Sequence, residues 1–320
     1  TIEERHYFVK ASQFLGNADT SIDYSITYYD DERFRGEAFD LTRNPMGSAW
    51  SFDTQRYQVN YTNPGENFSS RLSFGYNLEK YKSYSERMRG GRYTHWIVDS
   101  DRLNYGLDGS MFWTRTIHDV TAGAGYSVAS QDAKDDYQWN NNTDVRTDPT
   151  FDAFNKGDLN TLFAYVHDTV AVSDVVDLQM GLRFDDASVE DASYNLSGAT
   201  ATVALNGKGW DHFSPKLGAV FHTSVNSRVR VQYNHAFRAP NLESMTLNMQ
   251  RGGSFWHSNP DLTPEKTDAF EVGLERTGDK SSQAFNVFYN RAEDYIDIMD
   301  CTTSMGCPVG ERKYMNVGRV

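Results

Sequence analysis

Apolar and polar side chains alternate along this chain with a period of two. In Ile22-Asp23-Tyr24-Ser25-Ile26-Thr27-Tyr28 the even positions are apolar and the odd ones polar. Between Phe68 and Glu79, Phe68, Leu72, Phe74, Tyr76 and Leu78 share one face against Ser69, Arg71, Ser73, Asn77 and Glu79. The pattern returns from Val176 to Phe184 and from Arg228 to Asn234. Side chains alternate faces along a strand, so each stretch predicts a ribbon with one apolar and one polar side. The runs are about ten to twelve residues long, beyond the usual five or six and close to what a tilted strand needs to cross a bilayer. Helical periodicity is hard to find.

The connections alternate too. Short ones fall at Gly16–Asp19, Asn63–Glu66, Thr116–Ile117, Ser173–Asp174, Ser224–Asn226 and Thr277–Lys280. Long polar stretches lie between them, at roughly 30–50, 80–103, 129–158, 187–210, 239–266 and 299–312. A soluble sandwich has no reason to place every long loop at one end. The pattern instead predicts an all-β fold, a transmembrane antiparallel up-and-down β-barrel with tight periplasmic turns and long extracellular loops. About twelve strands can be counted, with a thirteenth beginning near Lys313. Unpaired strand edges in hydrocarbon forfeit rows of backbone hydrogen bonds, so residues 1–320 are expected to form one partial barrel domain of a longer protein. The chain opens at Thr1 without a signal-like segment, which was removed or lies outside an excerpt.

Composition agrees with this geometry. The chain is 14% aromatic, yet only 38% of its residues are hydrophobic and its mean hydropathy is negative. Disorder goes with few aromatics, and no run approaches the roughly 20 apolar residues of a spanning helix. With 31 basic and 44 acidic residues the net charge is -13, which argues against nucleic acid as a ligand. Cys301 and Cys307, with Met305, Gly306 and Pro308 around them, predict a local disulfide and an oxidising compartment; no His lies beside them to favour zinc. Enzymatic constellations are poorly supported. No phosphate loop or His-Glu-x-x-His occurs, and His118-Asp119 and His167-Asp168 are isolated dipeptides.

Phe237-Arg238-Ala239-Pro240, followed by Asn259-Pro260-Asp261-Leu262-Thr263-Pro264-Glu265-Lys266, resembles a signature of TonB-dependent outer-membrane receptors. Met180–Asp185, Phe213–Gly218, Phe270–Glu275 and Tyr314–Gly318 resemble further strand motifs of that family. The resemblance implies a barrel of about twenty-two strands with a plug in its lumen; the plug has no counterpart in this sequence. About four strands would precede Thr1 and about six would follow Val320. It also implies the outer membrane of a Gram-negative bacterium, TonB with its inner-membrane energising complex as periplasmic partner, and import of an extracellular iron complex without enzymatic cofactor. A ferric siderophore is the first expectation and heme or a heme-protein the second; a passive porin is the rival class.

The resemblance directs attention to the segment between its two motifs. In heme receptors of the family a His in that interval is an axial iron ligand, and His257 lies there with Met245, Met249, Arg251, Phe255 and Trp256. Phe255, Trp256 and His257 could equally pack the base of the loop. Arg238, on the polar side of its strand, is expected to face the lumen. Siderophore receptors present aromatics and cations, which Tyr84, Arg87, Arg89, Arg92, Tyr93 and Trp96 supply; the same cations suit lipopolysaccharide phosphate.

Overall fold

The computed structural model describes residues 2–16, 19–35, 48–89, 92–140, 153–195, 201–205, 207–251, 254–278 and 280–319, with backbone alone at 34–35, 86–89, 92–95, 136–140 and 250–251. Its strands are β1 (Ile2–Phe14), β2 (Ser21–Arg35), β3 (Ser48–Asn63), β4 (Phe68–Arg89), β5 (Arg92–Arg115), β6 (His118–Asn140), β7 (Ala153–Ser173), β8 (Val176–Asn195), β9 (Thr202–Ala204), β10 (Lys208–Ser224), β11 (Ser227–Arg238), β12 (Met249–Arg251), β13 (Ser254–His257), β14 (Glu265–Gly278), β15 (Ser281–Glu293), β16 (Tyr295–Asp300) and β17 (Arg312–Val317). One short helix, α1 (Leu242–Thr246), follows β11.

A 13-stranded antiparallel sheet runs β1-β2-β3-β4-β5-β6-β7-β8-β10-β11-β14-β15, with β9 on β8. Each predicted short connection joins neighbours at one end of this sheet. Thr116, for example, turns the chain between β5 and β6 at φ 57. The thirteenth strand expected near Lys313 is β17, which pairs antiparallel with β16, beyond β15 and the turn at Asp294 (φ 54). β12, β13, β17 and β16 form a separate four-stranded sheet.

Two expectations are corrected. Residues 80–103 and much of 129–158 are not loops, because β4, β5 and β6 extend through them for 22, 24 and 23 residues. The β4–β5 ladder continues to Arg89↔Arg92. Beyond the apolar stretch both faces of a strand meet water, so apolar alternation ceases to mark the strand although every backbone group still needs a partner. The ten-to-twelve-residue runs therefore locate the apolar part of each strand and underestimate its length.

The register carries one apolar face across the whole sheet. Val9↔Ile26, Phe74↔Leu107, Met180↔Leu217 and Val272↔Val287 are directly opposed pairs on it. Leu72, Leu107, Leu178, Leu217, Val272 and Phe285 on this face are exposed. On the side away from the short turns the belt ends in rings: Tyr57↔Tyr76↔Tyr105, Phe184↔Phe213 and Tyr233↔Phe270↔Tyr289. A wide exposed apolar band with an aromatic border is the outer surface of a bilayer-spanning sheet. The opposite face is polar, with in-register Arg228–Glu275 and nearby Arg230–Glu271 contacts at 2.5 and 2.6 Å.

Candidate ligand-binding vestibule

Above the apolar belt, the polar face of β1–β4 presents a row of rings. His6 and Tyr29 are register partners, Tyr29 and Phe52 are diagonal neighbours, and Phe52 and Tyr81 are register partners. Their centroids are 6.1, 6.3 and 6.3 Å apart at 72°, 67° and 65°, the edge-to-face geometry that ring quadrupoles favour. Tyr29, Phe52 and Tyr81 are half-buried against the wall and keep part of their surface open. Trp50, two residues beyond Phe52, lies on the same face. Asp31 accepts from Arg33 Nε at 2.9 Å and from the Tyr29 hydroxyl at 3.2 Å. The Arg33 guanidinium holds the Asp31 carboxyl below its usual range, so this pair stays ionised beside the rings.

The segment between the two motifs folds onto the polar face on the other side of the sheet. Asn241 caps α1 by accepting the Ser244 amide at 2.7 Å. Leu242, Met245 and Leu262 then pack with Val189, Ala192, Tyr194 and Leu205, and Met245 retains no exposed surface. Gly157 permits this approach, since a Cβ there would stand 2.7 Å from that of Ala192. Asn155 donates to Thr246 Oγ1 at 2.9 Å in the same buried layer. Glu243 reaches Arg102 of β5 at 3.3 Å, so an ion pair links this inward cap to the strand next to the ring-bearing β4.

The predicted site residues divide. Arg238 lies on the polar face, as its parity required, and pairs with its register partner, the buried Glu265. Asn259 donates to the Tyr314 carbonyl at 2.9 Å, and Asn316 accepts the Thr263 amide at 2.9 Å. The motif residues thus fasten the loop to β17. Phe255, Trp256 and His257 form β13, between β12 and β17, and all are half-buried. Phe255 meets His257 edge-on at 4.8 Å, while Trp256 meets Tyr314 at 6.4 Å. His257 Nε2 lies 2.5 Å from Glu311 Oε2, so the ring expected to ligate iron is engaged by a carboxylate. Met245 and Met249 are buried in the cap and its adjoining strand.

Trp96 stands on β5 and donates from Nε1 to Asp135 at 2.7 Å. The side chains of Arg92, Tyr93 and Arg251 lie outside the described residues. Cys301 and Cys307 form the expected disulfide, with Cα atoms 5.8 Å apart. No group of three or more His, Cys, Asp or Glu suited to a metal ion occurs among the described residues. Sequence reasoning missed Tyr29, Phe52, Tyr81 and Trp50. Only the strand register brings them together, and polar-face parity was the available signal.

Comparisons with known proteins agree with this geometry. The family model described as TonB dependent receptor-like, beta-barrel matches residues 6–320. The ferric yersiniabactin uptake receptor of Yersinia pestis superposes with a TM-score of 0.68 at 13% identity, over 92% of this chain and 46% of that one. For the ferric-catecholate import receptor Fiu of E. coli the TM-score is 0.69 at 14% identity, over 99% of this chain and 54% of that one. The iron-regulated outer membrane virulence protein of Vibrio cholerae is 29% identical over 106 residues, 32% of this chain and 16% of that protein. The chain thus spans about half the length of these solved relatives.

Proposed function

Because the chain belongs to the TonB-dependent receptor-like β-barrel family, we propose that it is the central part of the barrel domain of a receptor that imports a ferric siderophore. The family places it in the outer membrane, and no enzymatic chemistry is asked of its residues. In this reading extracellular ligand settles between the ring row and the inward cap, and TonB, with its inner-membrane energising complex, drives transport by displacing a plug. The cargo assignment draws on relatives described as receptors for ferric yersiniabactin, ferripyoverdine and ferric catecholates.

The ring row His6–Tyr29–Phe52–Tyr81 is the observation that carries the reading. Partly exposed rings on a polar wall give a bulky organic chelate apolar contact without a deep pocket, and the adjoining Asp31–Arg33 pair supplies donors and acceptors. A passive porin has no need of such a row. Heme through His257 is favoured less, because Glu311 holds the ring. The test is growth rescue of a strain lacking its other receptors, under iron limitation, with a panel of ferric siderophores. At least one should rescue, and F52A with Y81A should weaken its binding by about tenfold or more, at roughly 1 kcal/mol per ring. Failure of every siderophore, or full affinity in the double variant, would overturn the reading.

A further inference from the structure

Just beyond the aromatic border, β10 and β11 part. Their ladder runs from Ser224↔Ser227 to Lys216↔Asn234. The next residue on β10 is Pro215, which has no N–H to donate, while β10 stays paired with β8 along its other edge. In the fork His212 meets His235, with the two Nε2 atoms 2.8 Å apart and the ring centroids 4.9 Å apart. His235 Nδ1 lies 2.8 Å from Asp268 Oδ1, which also accepts the Tyr233 hydroxyl at 2.8 Å. Phe237 stacks on His212 at 5.0 Å and 12°.

An ionised carboxylate only accepts, so His235 carries hydrogen on Nδ1 and directs Nε2 at its neighbour. A carboxylate that fixes the tautomer and orientation of an imidazole in this way is the usual support of a metal-binding histidine. Phe237 holds the facing ring. A hydrogen now occupies the gap between the Nε2 atoms. On an ion with bonds of about 2.0–2.1 Å, neighbouring nitrogens stand about 2.9 Å apart at the 90° of a tetragonal Cu2+ site and about 3.4 Å at a tetrahedral angle, so the rings have to separate by at most about 0.6 Å and tilt until both lone pairs meet the ion. His235 and Asp268 keep 18% and 32% of their side-chain surface exposed, so an ion can reach the pair.

We propose that the His212–His235 pair is a binding site for a divalent first-row transition ion, with Cu2+ held more tightly than Zn2+ or Ni2+. The protein supplies two nitrogens and water completes the shell. The charged groups around the pair are Asp185 on β8, Asp211 on β10, Lys266 and Asp268 on β14, and Arg291 on β15. Asp185 is no third ligand, because Arg183 engages both of its oxygens at 2.6–3.0 Å. When the pair carries an extra proton the ion displaces it to solvent. When both rings are neutral, His212 moves its hydrogen to Nδ1 and nothing is released. The bound ion ties β10 to β11 where the backbone ladder has ended, on the strand that leads to Arg238.

The test titrates Cu2+ into the intact receptor in detergent micelles and reads the bound ion by electron paramagnetic resonance. The expected spectrum of the first bound equivalent shows coupling to two imidazole nitrogens. His212→Gln and His235→Gln should each reduce this to one nitrogen and weaken binding by about tenfold or more, and Asp268→Asn should weaken it by about 10–100-fold. His222→Gln, which removes an imidazole already bound to Asp177 at 2.8 Å, should change nothing. Heat-modifiable gel migration checks that each variant is folded. A one-nitrogen spectrum in the unmodified receptor overturns the proposal without any variant, as does unchanged affinity in both His variants.

Discussion

Met245→Ala is the sharpest probe of the inward cap. Met245 is fully enclosed among Val189, Ala192, Tyr194, Leu205, Leu242 and Leu262. The change removes Cγ, Sδ and Cε. Lost transfer from water amounts to about 2–2.5 kcal/mol at about 0.8 kcal/mol per methylene-sized group. A residual cavity of about 50–60 Å³ adds about 1.3 kcal/mol at about 24 cal/mol per Å³. The loss of about 3–4 kcal/mol falls on the cap rather than on the sheet, whose ladders do not pass through Met245. Hydrogen exchange in the intact receptor reads it locally. The Leu247 amide, bonded to the Glu243 carbonyl at 2.9 Å, and the Asn259 amide, bonded to the Ser244 carbonyl at 2.9 Å, should exchange about 100-fold faster or more. Amides in the belt-level parts of β7 and β8 should keep their protection. Unchanged exchange at Leu247 and Asn259 would refute the packing account, and equal loss through β7 and β8 would refute the claim that the cap opens by itself.

Other predictions concern the wall, the disulfide and His257. Val272→Arg puts a charge in the apolar belt and should cost about 2–4 kcal/mol, seen as reduced membrane-inserted receptor. Gln232→Arg, on the polar face opposite Glu271, should insert normally, and equal defects would mean the faces are misassigned. Replacing Cys301 and Cys307 by Ser releases a closed loop of sequence separation 6, worth about 2 kcal/mol on chain-entropy grounds. Trypsin should then cut faster at Arg312 and Lys313, whose segment is clamped by the Lys313 contact to the Met305 carbonyl at 3.1 Å; equal cutting rates in the oxidised and Ser forms would contradict this. Hemin titration followed at the Soret band tests His257. Any coordination should strengthen in Glu311→Ala, which frees Nε2, and vanish in His257→Ala; the same band in both removes His257 as a ligand.

The fold was legible wherever one face of a strand meets lipid. There the bilayer demands an apolar side chain at every second position, and tight turns demand residues such as Gly16 and Pro64. Above the belt that demand ends, so the outer halves of β4, β5 and β6 looked like polar loops. The disulfide was legible because its partners are neighbours in sequence. The ring row was not, since Tyr29, Phe52 and Tyr81 lie on three strands and become adjacent only through register. In the segment around His257 the family resemblance directed attention to ligand contact, and nothing in the sequence showed that Met245 packs with Leu262. The motif residues Asn259 and Glu265 drew notice as a family signature and prove to be fasteners of the chain path.

The strands differ in how far they reach beyond the bilayer. β5 has 24 residues, or about 80 Å of strand at about 3.3 Å per residue. Tilted by about 40°, it rises about 60 Å, and the apolar band takes about 25 Å of that. At β4–β6 a wall about 35 Å high therefore stands in water above the bilayer. That height is close to the diameter of a folded domain of about 100 residues. Farther along the sheet β11 and β14 have only 12 and 14 residues, so the wall is low there. The sheet is thus lopsided, tall at β4–β6 and low at β11 and β14, to a degree that sequence alternation alone did not disclose.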